Sequence, residues 1–231
     1  MASTQRFIHI CCFAIFTATL YHNVANIFIN GVTNSYGGRF KFLTFINLVI
    51  SVLYYGLAFV SELWSVLFHN PEVGNNRTVL KKWRDTIFGS LIFPLSAIVT
   101  IAFWGVMVVN SELMLPSRLR HMIPVHGLYN HCAHTAPFIL SFIQIFLVRH
   151  KDFPSRIKAS FGFTLFCIGY VIWILWIAYR ADIWVYPVLK VLGWSGRILF
   201  LGTAYMLGLT FLFVGHAINT QQHKKSSKKL H

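Results

Sequence analysis

Residues 161–179 read FGFTLFCIGYVIWILWIAY and contain no charged side chain. A helix needs roughly 20 such residues to cross the hydrocarbon core of a membrane. Within lipid the backbone must satisfy its own hydrogen bonds, and a helix does so inside one segment. This stretch therefore predicts a transmembrane helix and places the chain among integral membrane proteins.

Five more stretches have the same apolar character. The chain is 56% hydrophobic and only 11% charged, which lies outside the range of soluble domains. We therefore predict an all-α polytopic membrane protein, a six-transmembrane-helix bundle that forms one domain over residues 1–231. Pro94 is expected to disturb the third span, because proline cannot donate a helical hydrogen bond. The other five spans cover residues of about 7–28, 42–60, 87–109, 128–148 and 198–214.

The net charge of +14 comes from 20 Lys and Arg against 6 Asp and Glu. These charges lie between the apolar runs and in the basic tail at 218–231, so they predict contact with anionic lipid headgroups and no nucleic-acid partner. Alternation over six spans puts 13 Lys and Arg on the side of the two termini and 7 on the other side. The positive-inside rule then predicts that both termini are cytosolic.

Two short motifs bear on the membrane compartment. Lys228-Lys229-Leu230-His231 is similar to a dilysine retrieval signal, although a basic tail lying on anionic lipid explains it equally well. We expect the endoplasmic reticulum, the plasma membrane or both. Asn76-Arg77-Thr78 is a glycosylation sequon that would face the cytosol on this orientation, where it could not be used.

The polar group Tyr129-Asn130-His131-Cys132-Ala133-His134-Thr135 opens the fourth span. An ionisable residue inside a span is costly enough to be a functional-site hypothesis. The i, i+4 spacing puts Asn130 beside His134 and His131 beside Thr135 on the helix surface. Pro137 follows one turn later and frees a backbone carbonyl.

Thr44 lies near the start of the second span and shares one helix face with Asn47 and Ser51. The second and fourth spans begin on the same side, so Thr44 and His134 fall in one half of the bilayer. An imidazole can take the proton of a hydroxyl that attacks an ester. The sequence shows no carboxylate that would orient the imidazole, and interhelical hydrogen bonding remains the alternative for Asn47, Ser51 and Thr135.

Four blocks of the chain resemble the signature of a known family. They are Tyr36-Gly37-Gly38, Lys41-Phe42-Leu43-Thr44-Phe45-Ile46-Asn47, Asn130-His131-Cys132-Ala133-His134-Thr135 and Trp184-Val185-Tyr186-Pro187. In matching order they resemble the androgen-induced gene and androgen-dependent TFPI-regulating protein family. The resemblance implies a membrane hydrolase that cleaves fatty acid esters of hydroxy fatty acids within the bilayer, with no cofactor. It implies Thr44 as nucleophile and His134 as base.

Other residues are assigned supporting roles. Asn130 or Asn47 would orient the imidazole or supply an amide, and His131 would donate to the oxyanion or merely pack. Arg39, Lys41 or Arg197 would pair with the carboxylate of the substrate. The expected partners are the lipid substrate and membrane lipids, and the oligomeric state stays open.

Three other functions are alternatives to the hydrolase hypothesis. A metal-dependent lipid-modifying enzyme would use His126, His131 and His134 as ligands, although no second histidine cluster or nearby carboxylate completes such a site. A transporter or channel would line its pathway with the polar residues, although the chain shows no inverted repeat. A non-catalytic lipid-binding protein would keep the fold alone. The four cysteines lie inside apolar runs and predict neither disulfide nor metal motif.

Overall fold

The structure is a computed structural model that describes residues 2–29, 31–67, 79–148 and 150–228. These ranges are helical apart from turns and loops, and they contain no strand. The α-helices are α1 (Ala2–Asn26), α2 (Leu43–Leu67), α3 (Val79–Ile87), α4 (Phe93–Asn110), α5 (Leu128–His134), α6 (Ala136–Leu147), α7 (Arg156–Ala181), α8 (Pro187–Val191) and α9 (Trp194–Lys228).

Five helical segments of the described chain are long and apolar enough to cross a membrane: Thr4–Asn26, Leu43–Trp64, Val79–Leu113, Arg156–Ala181 and Trp194–Gln222. Their outer faces carry large exposed apolar side chains, for example Leu53, Leu165 and Leu199 at 68%, 61% and 72% exposure. A soluble protein rarely exposes continuous apolar faces of this kind. Lipid therefore covers these faces, and the predicted helical membrane bundle is confirmed.

The fourth predicted span is two helices and not one. Helix α5 ends at His134, and α6 begins at Ala136 as a shorter apolar helix. The cause is Pro137, which has no N–H to donate to the Ala133 carbonyl and whose ring clashes with the preceding turn. Thr135 lies at the break with φ −107° and ψ −49°. The break places the polar residues of α5 at the end of a short helix beside an apolar one.

Pro94 disturbs the third span in a similar way. A π-helical turn, Phe88–Ile92, joins α3 to α4 directly before this proline. Pro94 cannot bond the Ser90 carbonyl, and widening the preceding turn is one way to absorb the missing bond. The span nevertheless stays continuous from Val79 to Leu113.

The helices alternate in direction and give the bundle two different ends. Helices α1, α4 and α7 end where α2, α5 and α9 begin, and we call this the cavity end because it surrounds a cavity of about 610 Å³. The opposite end contains a buried ionic cluster. There Arg84 Nη1 donates to Glu62 Oε1 at 2.9 Å, Arg84 Nη2 pairs with Asp85 Oδ1 at 2.9 Å, and His150 Nδ1 donates to Asp85 Oδ1 at 2.9 Å. Mutual pairing makes these buried charges tolerable.

Helix α9 is longer than the predicted span at 198–214. It runs to Lys228, so the basic segment continues the helix. Two of its side chains tie it to the neighbouring connection, because Asn219 Nδ2 donates to the His150 carbonyl at 3.2 Å and Gln222 Nε2 to the Ile145 carbonyl at 2.8 Å. The sequon at 76–78 and residues 229–231 of the dilysine motif lie outside the described residues.

A close approach of three helices holds the middle of the bundle. Gly208 of α9 is buried against Phe163 of α7 and Ile98 of α4. A Cβ atom at Gly208 would lie 2.3 Å from Phe163 Cζ and 2.6 Å from Ile98 Cδ1. Without a hydrophobic driving force between helices in lipid, such contacts between small residues and neighbouring helices carry the packing energy.

Candidate functional site

A cavity of about 610 Å³ lies between the helices at the cavity end. Its wall comes from the last turns of α1, the first turns of α2, the loop after α4, and parts of α4, α5, α7, α8 and α9. Most of the wall is apolar, and its polar groups are few. The volume falls in the range of about 300–1,000 Å³ that is usual for small-molecule sites.

Thr44 and His134 both line this cavity. Thr44 is the second residue of α2, and His134 is the last residue of α5. The chain reaches this arrangement because both helices begin at the same end of the bundle. The two residues that the sequence places in one half of the bilayer therefore share one cavity.

The His134 imidazole is held from two sides. Its Nδ1 lies 3.1 Å from the backbone oxygen of Asn130, and its ring stacks on Phe103 with 3.7 Å between centroids and 21° between planes. A carbonyl oxygen can only accept, so Nδ1 carries the proton and Nε2 is the basic nitrogen. The Asn130 carbonyl thus takes the orienting role for which the sequence offered no carboxylate.

Asn130 is buried and also lines the cavity. Its Nδ2 donates to the Val125 carbonyl at 2.7 Å, whereas its Oδ1 has no hydrogen-bond partner among the described residues. Asn23 of α1 is similar. Its Nδ2 donates to the Tyr129 hydroxyl, and its Oδ1 is buried and has no hydrogen-bond partner among the residues that the structure describes. Both residues line the cavity, and each carries a buried amide oxygen without a hydrogen-bond partner among the described residues.

Three residues with predicted site roles are not part of the cavity wall. His131 Nδ1 pairs with Thr135 Oγ1 at 3.1 Å, and its ring stacks on Trp104 with 5.4 Å between centroids. Asn47 is fully buried among the helices. The Arg197 guanidinium lies over the rings of Trp184 and Trp194, at 3.6 Å and 4.9 Å from their centroids. Their chemical roles stay predictions.

Three cations do line the cavity. Arg39 Nη2 donates to the carbonyls of Val24 and Ile27, at 3.2 Å and 2.7 Å, and Lys41 Nζ donates to the Val32 carbonyl at 2.6 Å. Burial lowers the pKa of Lys41. Lys190 of α8 is exposed, and its ammonium has no hydrogen-bond partner within the described chain. Sequence reasoning missed Lys190, although it follows the Trp184–Pro187 block by three residues.

Two tyrosines of the wall contact the start of α2. The hydroxyls of Tyr170 and Tyr186 lie 3.0 Å apart, and the Leu43 amide donates to both, at 3.1 Å and 2.9 Å. Tyr170 also donates to the Lys41 carbonyl at 3.0 Å. Neither hydroxyl could be assigned to the site from spacing alone, because these contacts join residues more than 100 positions apart.

The histidines near the cavity bear on the metal-dependent alternative. Within the described ranges, no group of three His, Cys, Asp or Glu side chains lies close enough together to hold a metal ion. His126 and His131 face each other as stacked rings, with 6.3 Å between centroids, while His134 stacks on Phe103.

The fold and the site together define a multipass helical membrane protein with a largely apolar cavity between its helices. The chain belongs to the FAR-17a/AIG1-like protein family, whose model matches residues 4–220. It is 34% identical to the human (Homo sapiens) androgen-induced gene 1 protein over 191 residues, which cover 80% of this chain and 78% of that protein.

A second relative supports the same family. The chain is 30% identical to the human androgen-dependent TFPI-regulating protein over 186 residues, which cover 79% of this chain and 76% of that protein. The mouse (Mus musculus) protein of the same name is 31% identical over 186 residues, again 79% of this chain and 76% of that protein. No solved structure matches the chain.

Proposed function

We propose that this protein hydrolyses fatty acid esters of hydroxy fatty acids within the bilayer, with Thr44 as nucleophile and His134 as base. The observation that carries the proposal is that Thr44 and His134 line one largely apolar cavity of about 610 Å³. Apolar walls suit two acyl chains, and the few polar groups suit an ester and a carboxylate. Membership of the family supports the same assignment through the resemblance of the sequence blocks.

The reaction follows from the two side chains. His134 Nε2 takes the hydrogen of the Thr44 hydroxyl while Oγ1 attacks the carbonyl carbon of the branching ester. The tetrahedral intermediate collapses, the bond to the hydroxy fatty acid breaks, and His134 returns the proton to the leaving oxygen. Water then attacks the acyl group on Thr44 and gives its proton to His134. The second intermediate collapses, and the bond between the acyl carbon and Thr44 Oγ1 breaks. His134 returns its proton to Oγ1, and the free fatty acid leaves.

The carboxylate of the substrate requires a cation near one side of the cavity. Lys41 and Arg39 line the wall, but Lys41 Nζ and Arg39 Nη2 already donate to backbone carbonyls. Lys190 has no such commitment in the described chain and is the better candidate. We assign Lys190 the primary contact with the carboxylate, with Lys41 adding positive potential.

Purified protein in lipid nanodiscs provides the test. We expect wild-type protein to release a fatty acid from a defined ester of this class, and Thr44→Ala and His134→Ala to lose this activity by at least about 10³-fold. Thr210→Ala and His121→Ala are matched controls, because both positions are exposed and lie outside the cavity wall. Hydrolysis that survives in the Thr44→Ala protein would contradict the proposal.

We also propose that the cavity end faces away from the cytosol. The excess of Lys and Arg on the side of the termini supports this orientation. A glycosylation acceptor inserted in the loop between α4 and α5 should then receive a glycan in cells. If an acceptor in that loop stays unmodified while one near the N-terminus is modified, the proposed orientation is wrong and the opposite one holds.

A further inference from the structure

The two tyrosine hydroxyls at the start of α2 form a small hydrogen-bond network with a clear direction. Both accept from the Leu43 amide, and their oxygens are 3.0 Å apart. A tyrosine hydroxyl has one hydrogen to give. Tyr170 gives its hydrogen to the Lys41 carbonyl at 3.0 Å. The hydrogen between the two oxygens therefore belongs to Tyr186.

The two tyrosines thus differ in what they can offer a ligand. The hydrogen of Tyr170 is held by a backbone carbonyl that has to keep a partner in a buried setting. The hydrogen of Tyr186 rests on another hydroxyl, which already accepts from Leu43 and can give up this bond at little cost. Of the pair, Tyr186 is the one whose donor can turn toward a group in the cavity.

The position of this donor is close to the proposed nucleophile. Leu43 immediately precedes Thr44, and consecutive Cα atoms are about 3.8 Å apart. Tyr186, Thr44 and His134 all belong to the wall of the same cavity. An ester carbonyl attacked by Thr44 Oγ1 develops its negative charge beside the first turn of α2.

The backbone of α2 adds to this donor. Ile46 is the first residue of the helix whose amide reaches a carbonyl, that of Phe42 at 3.1 Å. No hydrogen bond between described residues involves the amides of Thr44 and Phe45. Amides at a helix start point away from the helix and favour negative charge. The first turn of α2 therefore places backbone amides near the Tyr186 hydroxyl, which lies 2.9 Å from the Leu43 amide nitrogen.

We propose that Tyr186 is a catalytic residue that donates a hydrogen bond to the ester carbonyl oxygen as it becomes an oxyanion, an inference that rests on the proposed hydrolase function. No proton is transferred in this step, because the hydrogen stays covalently bound to Tyr186. The Tyr186 hydroxyl turns from the Tyr170 oxygen to the substrate oxygen, and it turns back when the intermediate collapses. Burial raises the pKa of the Tyr186 hydroxyl, which keeps it protonated as a donor. Tyr170 is a positioning residue that holds the start of α2.

The test compares Tyr186→Phe with Tyr170→Phe in nanodiscs. Removing one oxyanion donor typically lowers kcat by about 10²–10³-fold. We expect a loss of this size for Tyr186→Phe with KM within about twofold, and a loss below about tenfold for Tyr170→Phe, which keeps the Tyr186 donor. A trifluoromethyl ketone analogue, whose adduct with Thr44 carries an oxyanion, should lose affinity for Tyr186→Phe in parallel with kcat.

Each other outcome overturns the role of Tyr186. A Tyr186→Phe protein with kcat within threefold of wild type does so directly. Equal losses in both variants, with lower unfolding temperatures and unchanged binding of the ketone, would make the pair a structural clamp only. If Thr44→Ala abolishes hydrolysis while Tyr186→Phe does not, Tyr186 fails and the hydrolase stands. If wild-type hydrolysis does not depend on Thr44, both fail together.

Discussion

The ring of His134 lies on the ring of Phe103 at a centroid distance of 3.7 Å, while its Nδ1 contacts the Asn130 carbonyl at 3.1 Å. The two contacts fix the plane of the imidazole and the nitrogen that carries its proton. The proposed base is thus oriented without a carboxylate partner. These contacts offset the free-energy cost of burying the imidazole. Serine or threonine would form hydrogen bonds between helices at a lower free-energy cost.

Phe103→Leu should therefore impair catalysis more than binding. Losing the stacked face frees the imidazole to tilt, and a displacement of about 1 Å can cost up to about 10²-fold. We expect kcat to fall about tenfold with little change in KM. Phe166→Leu is the matched control, because Phe166 also lines the cavity but belongs to α7. Equal loss of kcat in both variants would show that Phe103 only fills space.

Lys190→Met should weaken binding of substrates that carry a free carboxylate. A hydrogen bond to a charged group contributes about 1.5–3 kcal/mol, so we expect KM to rise at least about tenfold. The methyl ester of the same substrate should be hydrolysed equally by both proteins. Lys158→Met, an exposed change in the first turn of α7 and outside the cavity wall, should leave both substrates unaffected. Equal KM for the charged substrate in wild type and Lys190→Met would contradict this role of Lys190 and would show that the carboxylate binds at another part of the wall.

Arg84→Met should unfold the protein at lower temperature. The change leaves the carboxylates of Glu62 and Asp85 without the guanidinium that both contact at 2.9 Å. Removing one partner of a buried ion pair costs about 3–5 kcal/mol. Thermal unfolding in detergent measures the effect, and Arg180→Met at an exposed position of α7 is the control. Similar unfolding temperatures for the two variants would show that the cluster contributes little to stability.

Gly208→Val should destabilise the bundle because the new side chain would meet Phe163 and Ile98. Overpacking of a filled core costs about 1–3 kcal/mol. Gly202→Val is the matched control on the same helix, since no atom lies within 4 Å of a Cβ built there. Both variants carry the same β-branched residue, so the difference between their unfolding temperatures isolates the contact. No difference would mean that α9 shifts to accept the side chain.

The sequence predicted the membrane bundle well because long apolar runs leave few alternatives to helices in lipid. The prediction from sequence missed the break at Thr135. The apolar run continues through this point, but Pro137 interrupts the helical hydrogen bonds. The predicted span at 198–214 is also shorter than α9, because the charged residues after 214 do not by themselves end a helix. Apolar length indicates where lipid lies, and it does not show where a helix stops.

The candidate site was only partly accessible from the sequence. Helix direction and the family blocks pointed to Thr44 and His134, and these residues share a cavity. Asn23, Phe103, Lys190 and the Tyr170–Tyr186 pair come from elements far apart in the chain, so no local spacing marks them. Arg197 looked free as a cation, but two tryptophans at the start of α9 and before α8 enclose it.

The central claim is that Thr44 is a nucleophile activated within this cavity. Labelling of the protein in nanodiscs with a fluorophosphonate probe, followed by mapping of the adduct by mass spectrometry, tests it most directly. We predict an adduct on Thr44 that is absent in Thr44→Ala, strongly reduced in His134→Ala and unchanged in Thr210→Ala. An adduct on another residue, or equal labelling of wild type and Thr44→Ala, would contradict it.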